Sequence, residues 1–346
     1  MPEESIDHIN FEELNNKAIS QPLVTHIYTA DPSAHVFNGK IYIYPSHDID
    51  AGDAFDDSGS HFAMEDYRVL SMDTPQDTTA TDHGVALHVS DVPWASKQMW
   101  APDANEKDGI YHLFFPAKDQ EGVFRIGVAT SNSPVGPFTP KPSAIKGSFS
   151  IDPAVFKDED GTYYMYFGGI WGGQLQRWRT GVFKSEHPDS PFAFIPAENQ
   201  PALCAKVAQL TNDLLEFSEV PADLVILDEN GNPLLQGDTD RRFFEASWMH
   251  AYNGKYYFSY STGDTHFICY AISDNPYGPF IYSGRILNPV TGWTTHHSIC
   301  EFKNKWYLFY HDSSLSKGVT HLRSVKVTEL VHDENGFIKT IDPYNY

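Results

Sequence analysis

Three acidic residues, Asp31, Asp152 and Glu245, stand at the same point of a phrase that this chain writes more than once. Residues 31–48 read DPSAHVFNGKIYIYPSHD, 152–169 read DPAVFKDEDGTYYMYFGG, and 245–263 read EASWMHAYNGKYYFSYSTG. If the three carboxyl groups meet, they can cleave a glycosidic bond. One carboxylic acid protonates the leaving oxygen while a carboxylate acts on the anomeric carbon or on a water. A third carboxylate nearby raises the acid's pKa by like-charge repulsion and keeps it protonated near neutrality. Asp-Pro pairs such as Asp31-Pro32 and Asp152-Pro153 also serve as strand-entry turns. The repeat alone therefore leaves catalysis and turn-capping both open.

What would bring the acids together is the repeat itself. Two further copies occupy 100–118, WAPDANEKDGIYHLFFPAK, and 296–312, HHSICEFKNKWYLFYHD. Each copy runs through a short apolar strand, turns at Asn-Gly, Asp-Gly or Asn-Lys, and enters a strand of alternating aromatic and aliphatic residues. That is the pattern of a β-hairpin with two packed faces. A third strand follows the second and fourth copies in RIGVATSNSPVGPF (125–138) and FICYAISDNPYGPF (267–280). Five such units with almost no capped amphipathic helix predict an all-β, five-bladed β-propeller occupying residues 1–346 as a single domain. In a propeller the inner strand of each blade starts near the axis, so the leading residues of all copies converge on one mouth.

The copies are unevenly spaced, and the gaps must hold insertions. Residues 49–99 and 172–243 are the expected walls of a pocket, and the stretch 210–235 has the mixed periodicity of a short helix. Acidic residues outnumber basic ones 46 to 24, giving a net charge of −22. Such a field repels phosphate backbones and anionic membranes, so neither nucleic acid nor membrane is an expected partner. Three cysteines without metal-ligand spacing, an acidic polar amino terminus and no long apolar run fit a cytoplasmic protein.

In order along roughly residues 25–330, ADPSAHVFNGKIYIY, MWAPDAN, IDPAVFKDEDGTYYMYFGG, FFEASWMHAYNGKYYFSYS and HHSICEFKNKWYLFYH together resemble glycoside hydrolase family 43. The resemblance implies an inverting enzyme in which Asp31 is the general base, Glu245 the general acid, and Asp152 the residue that orients the acid and tunes its pKa. It implies that His296 is the protein contact of a hydrated divalent cation, best matched by calcium, or else hydrogen-bonds to axial water. It places Arg323 either in the pocket, holding sugar hydroxyls near the base, or on a surface strand. Trp100, Phe37, Trp171 and Trp248 are candidates to stack on sugar faces, while Trp293 and Trp306 read as packing. The implied reaction is exo release of xylose from β-1,4-xylo-oligosaccharides with α-L-arabinofuranosidase side activity. The alternatives are an arabinofuranosidase or arabinanase acting on arabinan or arabinoxylan, and a non-catalytic sugar-binding propeller. A β-fructosidase-like enzyme would carry Asn-Asp-Pro-Asn where this chain has Ala-Asp-Pro-Ser.

Overall fold

All five copies fold as β-hairpins, and four of them turn through two residues that both have positive φ. These are Asn38-Gly39, Asp108-Gly109, Asn253-Gly254 and Lys303-Asn304. The tight turns make direct partners of Phe37 and Lys40, Lys107 and Ile110, Tyr252 and Lys255, and Phe302 and Lys305. Two-residue turns of this hand match the right-handed twist of the flanking strands, and Asn, Asp and Gly tolerate the backbone they require. The last turn sits one residue earlier than the Asn-Lys expected, because Phe302 pairs with Lys305. The third hairpin has a longer connection, in which Lys157 pairs with Tyr163 and the Asp158 N–H donates to the Thr162 carbonyl at 2.8 Å.

The computed structural model describes residues 10–188 and 190–345, so most of the acidic amino-terminal run lies outside the described residues. The hairpins extend into five separate antiparallel sheets within 28–88, 95–140, 154–224, 226–287 and 297–330, here blades I to V. Blade IV adds one short parallel edge strand, Ile226–Leu227. The inner strands are Tyr28–Phe37, Asp103–Lys107, Ala154–Lys157, Glu245–Tyr252 and His297–Phe302. Each touches the next, and the fifth touches the first, which closes a five-bladed β-propeller.

Strand alternation explains how the ring is held. Phe115 faces Tyr44 and Tyr67 between blades I and II, while its neighbour Phe114 faces Met165 and Phe167 between blades II and III. Tyr164 and Tyr166, on the other face of blade III, meet Met249 and Phe258 of blade IV. Similar clusters join blade IV to V and V to I. Each fully buried large side chain contributes about 1.5–3 kcal/mol, and among the described residues five of the six buried apolar clusters lie between blades. Near the axis Asp103 ties three blades together, with Oδ1 2.6 Å from His35 Nε2 and Oδ2 accepting from the Val155 N–H at 2.6 Å.

Residues 210–235 form no helix. Leu210 bridges to Phe217, and the segment continues as the short strands Ala222–Leu224 and Ile226–Leu227. The Thr211 hydroxyl donates to Asp213 Oδ1 at 2.6 Å and accepts from the Glu216 N–H at 3.1 Å, a local turn that competes with helical bonding. The one α-helix among the described residues is Phe11–Lys17, capped by the Asn10 side chain.

Candidate active site

At one end of the axis the loops enclose a cavity of about 1240 Å³, and Asp31, Asp152 and Glu245 all line it. Their placement depends on local breaks in the inner strands. The pairing of Tyr28–Phe37 with its neighbour slips between Ala30 and Ser33, and that of Glu245–Tyr252 slips between Glu245 and Trp248. Asp31 (φ 49°), Asp152 (φ 56°) and Ala246 (φ 63°) are left-handed. For Asp31 and Asp152 this is doubly unusual, since residues before proline favour extended backbone. Bulges re-aim side chains, and here they turn the carboxyls from the blade faces to the mouth. Gly169 makes room for the acid, because a Cβ there would lie 2.6 Å from Ile151 Cδ1 and 3.2 Å from Glu245 Cβ.

The three carboxyls have different electrostatic surroundings. Asp31 Oδ1 accepts from Arg323 Nη1 at 2.9 Å, and Oδ2 accepts from the Ser46 hydroxyl at 2.5 Å. Burial alone would raise the pKa of Asp31, but Arg323, His311, His296 and the Ser46 hydrogen bond outweigh it and hold the group at about 2. Glu245 has no such cation of its own. Burial, then the Asp31 charge, push it up to about 8. Asp152 is raised well above the usual carboxylate range by burial and by the neighbouring Glu245 and Asp31, although its Oδ2 accepts from the Ala246 N–H at 2.8 Å. Near neutrality an ionised carboxylate, Asp31, stands beside a protonated carboxylic acid, Glu245, the division of labour that acid–base cleavage requires.

Of the other residues picked out in the sequence, Trp100, Trp171, His296 and Arg323 line the cavity. Trp100 is held by its indole N–H donating to the Phe62 carbonyl at 2.8 Å, and Trp171 packs edge-on against Phe244. Arg323 is a buried pocket residue; its guanidinium grips Asp31 and Asp48 and lies 4.9 Å from the Phe62 ring centroid. Phe37 and Trp248 do not reach the cavity. Phe37 ends its strand stacked on His35 and edge-on to Tyr111. Trp248 is buried between blades IV and V, with its indole N–H donating to the Ile299 carbonyl at 3.0 Å.

Several residues in the cavity wall or behind it lie outside the sequence expectations. Trp293, expected as packing, lines the cavity beside Trp171, whereas Trp306 does pack, against His250 and Tyr252. Asp48, at the end of Lys40–Asp48, takes the Nε and Nη2 of Arg323 at 2.8 and 2.7 Å. His311 accepts the Asp31 N–H at Nδ1 at 3.0 Å, with Nε2 3.0 Å from the Thr294 carbonyl. Of the expected walls, 55–64 and 172–173 contribute, but 174–243 does not line the cavity; 170–171, 289–296 and 318–323 add to the enclosure.

The profile of glycosyl hydrolases family 43 matches residues 79–190. Xylosidase/arabinosidase 43A of Humicola insolens is 60% identical over 328 residues, covering 93% of this chain and 99% of that protein. The chain belongs to glycosyl hydrolase family 43. A β-xylosidase of Xylanibacter ruminicola is 56% identical over 91% of the chain and 97% of its own length. Among solved structures, a family 43 β-xylosidase/α-arabinofuranosidase from a compost microbial metagenome superposes with a TM-score of 0.92 at 64% identity. The match covers 95% of this chain and 98% of that one, which was solved with xylotriose in a calcium-free form. Among the described residues no helix is long and apolar enough to cross a membrane.

Proposed function

We propose that this family 43 glycoside hydrolase removes xylose from the ends of β-1,4-xylo-oligosaccharides, with inversion, and also cleaves α-L-arabinofuranosides. The observation that carries this reading is the pairing, in one enclosed cavity, of a carboxyl held at about 2 with another held at about 8. Glu245 would donate its proton to the leaving oxygen. Asp31, fixed by Arg323 and Ser46, would take the proton of the attacking water. Asp152 would orient the acid through the Ala246 N–H that its Oδ2 accepts, and tune its pKa. The enclosing walls suit a chain end rather than a running chain, and xylopyranose and arabinofuranose place similar hydroxyls similarly. On this reading the propeller is a single catalytic domain that works in the cytoplasm, where its three free cysteines would stay reduced.

His296 fits the expected cation contact in one respect. Its Nδ1 accepts from the His297 N–H at 2.8 Å, while its buried Nε2 has no hydrogen-bond partner, the nearest carboxylate oxygen being Asp152 Oδ2 at 3.8 Å. No group of three or more His, Cys, Asp or Glu side chains gathers as a metal cage among the described residues. A divalent cation, calcium on this reading, would therefore keep most of its waters and use His296 as a single protein contact. When bound, it would supply positive charge beside the acids.

The test is xylobiose hydrolysis followed by NMR from the first turnover. Xylose released initially as the α-anomer supports the assignment; initial β-anomer, or no xylose, overturns it. Glu245→Ala should lose turnover of xylobiose about 10²–10⁴-fold but lose less on nitrophenyl xyloside, which needs little protonation of its leaving group.

A further inference from the structure

Arg323 makes more contacts with Asp48 than with the base it serves. Its backbone N–H and Nε donate to Asp48 Oδ2 at 2.9 and 2.8 Å, and Nη2 donates to Oδ1 at 2.7 Å. A single bond, from Nη1, reaches Asp31 at 2.9 Å, and the same nitrogen donates to Thr294 Oγ1 at 3.1 Å. Asp48, Arg323 and Asp31 are all at least 96% buried, so water screens none of them effectively. Ser46 and Asp48 stand two apart on one strand and so share a face: the first holds the base directly, the second through the guanidinium.

Burial raises the pKa of Asp48, but three N–H donors from Arg323 favour its ionised form. Two carboxylates and one guanidinium then leave a remainder of one negative charge beneath the cavity. The other groups facing Asp31 do not cancel it. His311 is kept neutral chiefly by burial, and Glu245 holds its proton. Without Asp48 the guanidinium would neutralise Asp31 outright. Glycoside cleavage passes through a sugar that bears positive charge at its anomeric carbon.

We propose that Asp48 is a positioning residue whose charge cancels that of Arg323, leaving the floor of the cavity with a net negative charge that favours a cationic sugar ring over a neutral one. This rests on the glycosidase reading above. The geometric duty of Asp48 and its electrostatic duty are separable, because Asn has nearly the same shape and no charge.

The experiment compares two probes by calorimetry at pH 6, with a chelator present so that no divalent cation adds to the charge: xylose, and a xylose-configured piperidine whose ring nitrogen is protonated. In Asp48→Asn the affinity for the piperidine should fall about tenfold relative to that for xylose, since the pocket loses its surplus charge. A structural defect would weaken both probes together, and an unchanged ratio overturns the proposal. Should Asp48→Asn fail to fold, the double variant Asp48→Asn/Arg323→Gln carries the test. It removes both charges, so the native ratio should return, and a collapsed ratio overturns the proposal. If the native protein binds neither probe, the xylosidase reading fails, whereas binding of both with an unmoved ratio sinks this inference alone.

Discussion

Replacing Glu245 by Gln should destroy activity and make the protein more stable, by an amount that depends on pH. Glu245 is held at about 8 in the folded protein against an ordinary value of 4.5. Between those limits the unfolded chain releases a proton that the native chain keeps. Stability is therefore fully present below 4.5 and is lost progressively as pH rises toward 8. At 1.36 kcal/mol for each pH unit above 4.5, the native carboxyl costs about 1 kcal/mol at pH 5 and about 3 kcal/mol at pH 7. Partial exposure of Glu245 makes these upper figures. Gln has nearly the same shape and does not titrate, so it escapes the penalty. Urea unfolding followed by tryptophan fluorescence, run for both proteins at pH 5 and pH 7, should show the advantage of Gln growing by about 2 kcal/mol between them. Xylobiose turnover should fall about 10²–10⁴-fold. An advantage that is absent, or equal at the two pH values, would refute the claim that Glu245 is held protonated by its surroundings.

The same shifts set the pH profile: kcat/KM for xylobiose should decline above about pH 8 as Glu245 loses its proton, with no loss from Asp31 until far more acidic conditions, and a decline centred near pH 5 would contradict both assignments. Gly59→Ala should disturb the pocket wall, because its Cβ would lie 2.7 Å from Trp100 Cη2 on a backbone with φ +77°. Its KM for xylobiose should rise about tenfold with the fold retained, and an unchanged KM would remove Trp100 from the substrate wall. Trp248→Phe should cost about 1–3 kcal/mol of stability by leaving the Ile299 carbonyl unpaired, with KM unchanged; a raised KM would restore Trp248 as a substrate contact.

Why Asp31, Asp152 and Glu245 were legible and Phe37 and Trp248 misread comes down to position along a strand. A self-similar phrase fixes where each inner strand begins, and in a closed ring the beginnings share one mouth, so the leading acids declare themselves. Each further residue moves about 3.3 Å away. Phe37 stands six positions beyond Asp31, about 20 Å from the mouth on that arithmetic, and could have been excluded from the sequence alone. Trp248 follows Glu245 by only three residues, and what removes it is direction: past the bulge its side chain turns into the wedge between blades IV and V.

Asp48, His311 and Trp293 were hidden for another reason. Asp48 and His311 lie at the far ends of second strands, which return to the mouth after the hairpin turn, so their approach to Asp31 depends on strand length and register. Trp293 belongs to the loop that precedes blade V, where no periodicity operates. The positive φ at Asp31 and Asp152 was equally out of reach, since the proline that follows each predicts extended backbone. At those two strained residues local preference is overridden, and both aim a carboxyl from a blade edge into the cavity. The strain is thus better read as the cost of aiming Asp31 and Asp152 into the cavity than as a defect of turn chemistry.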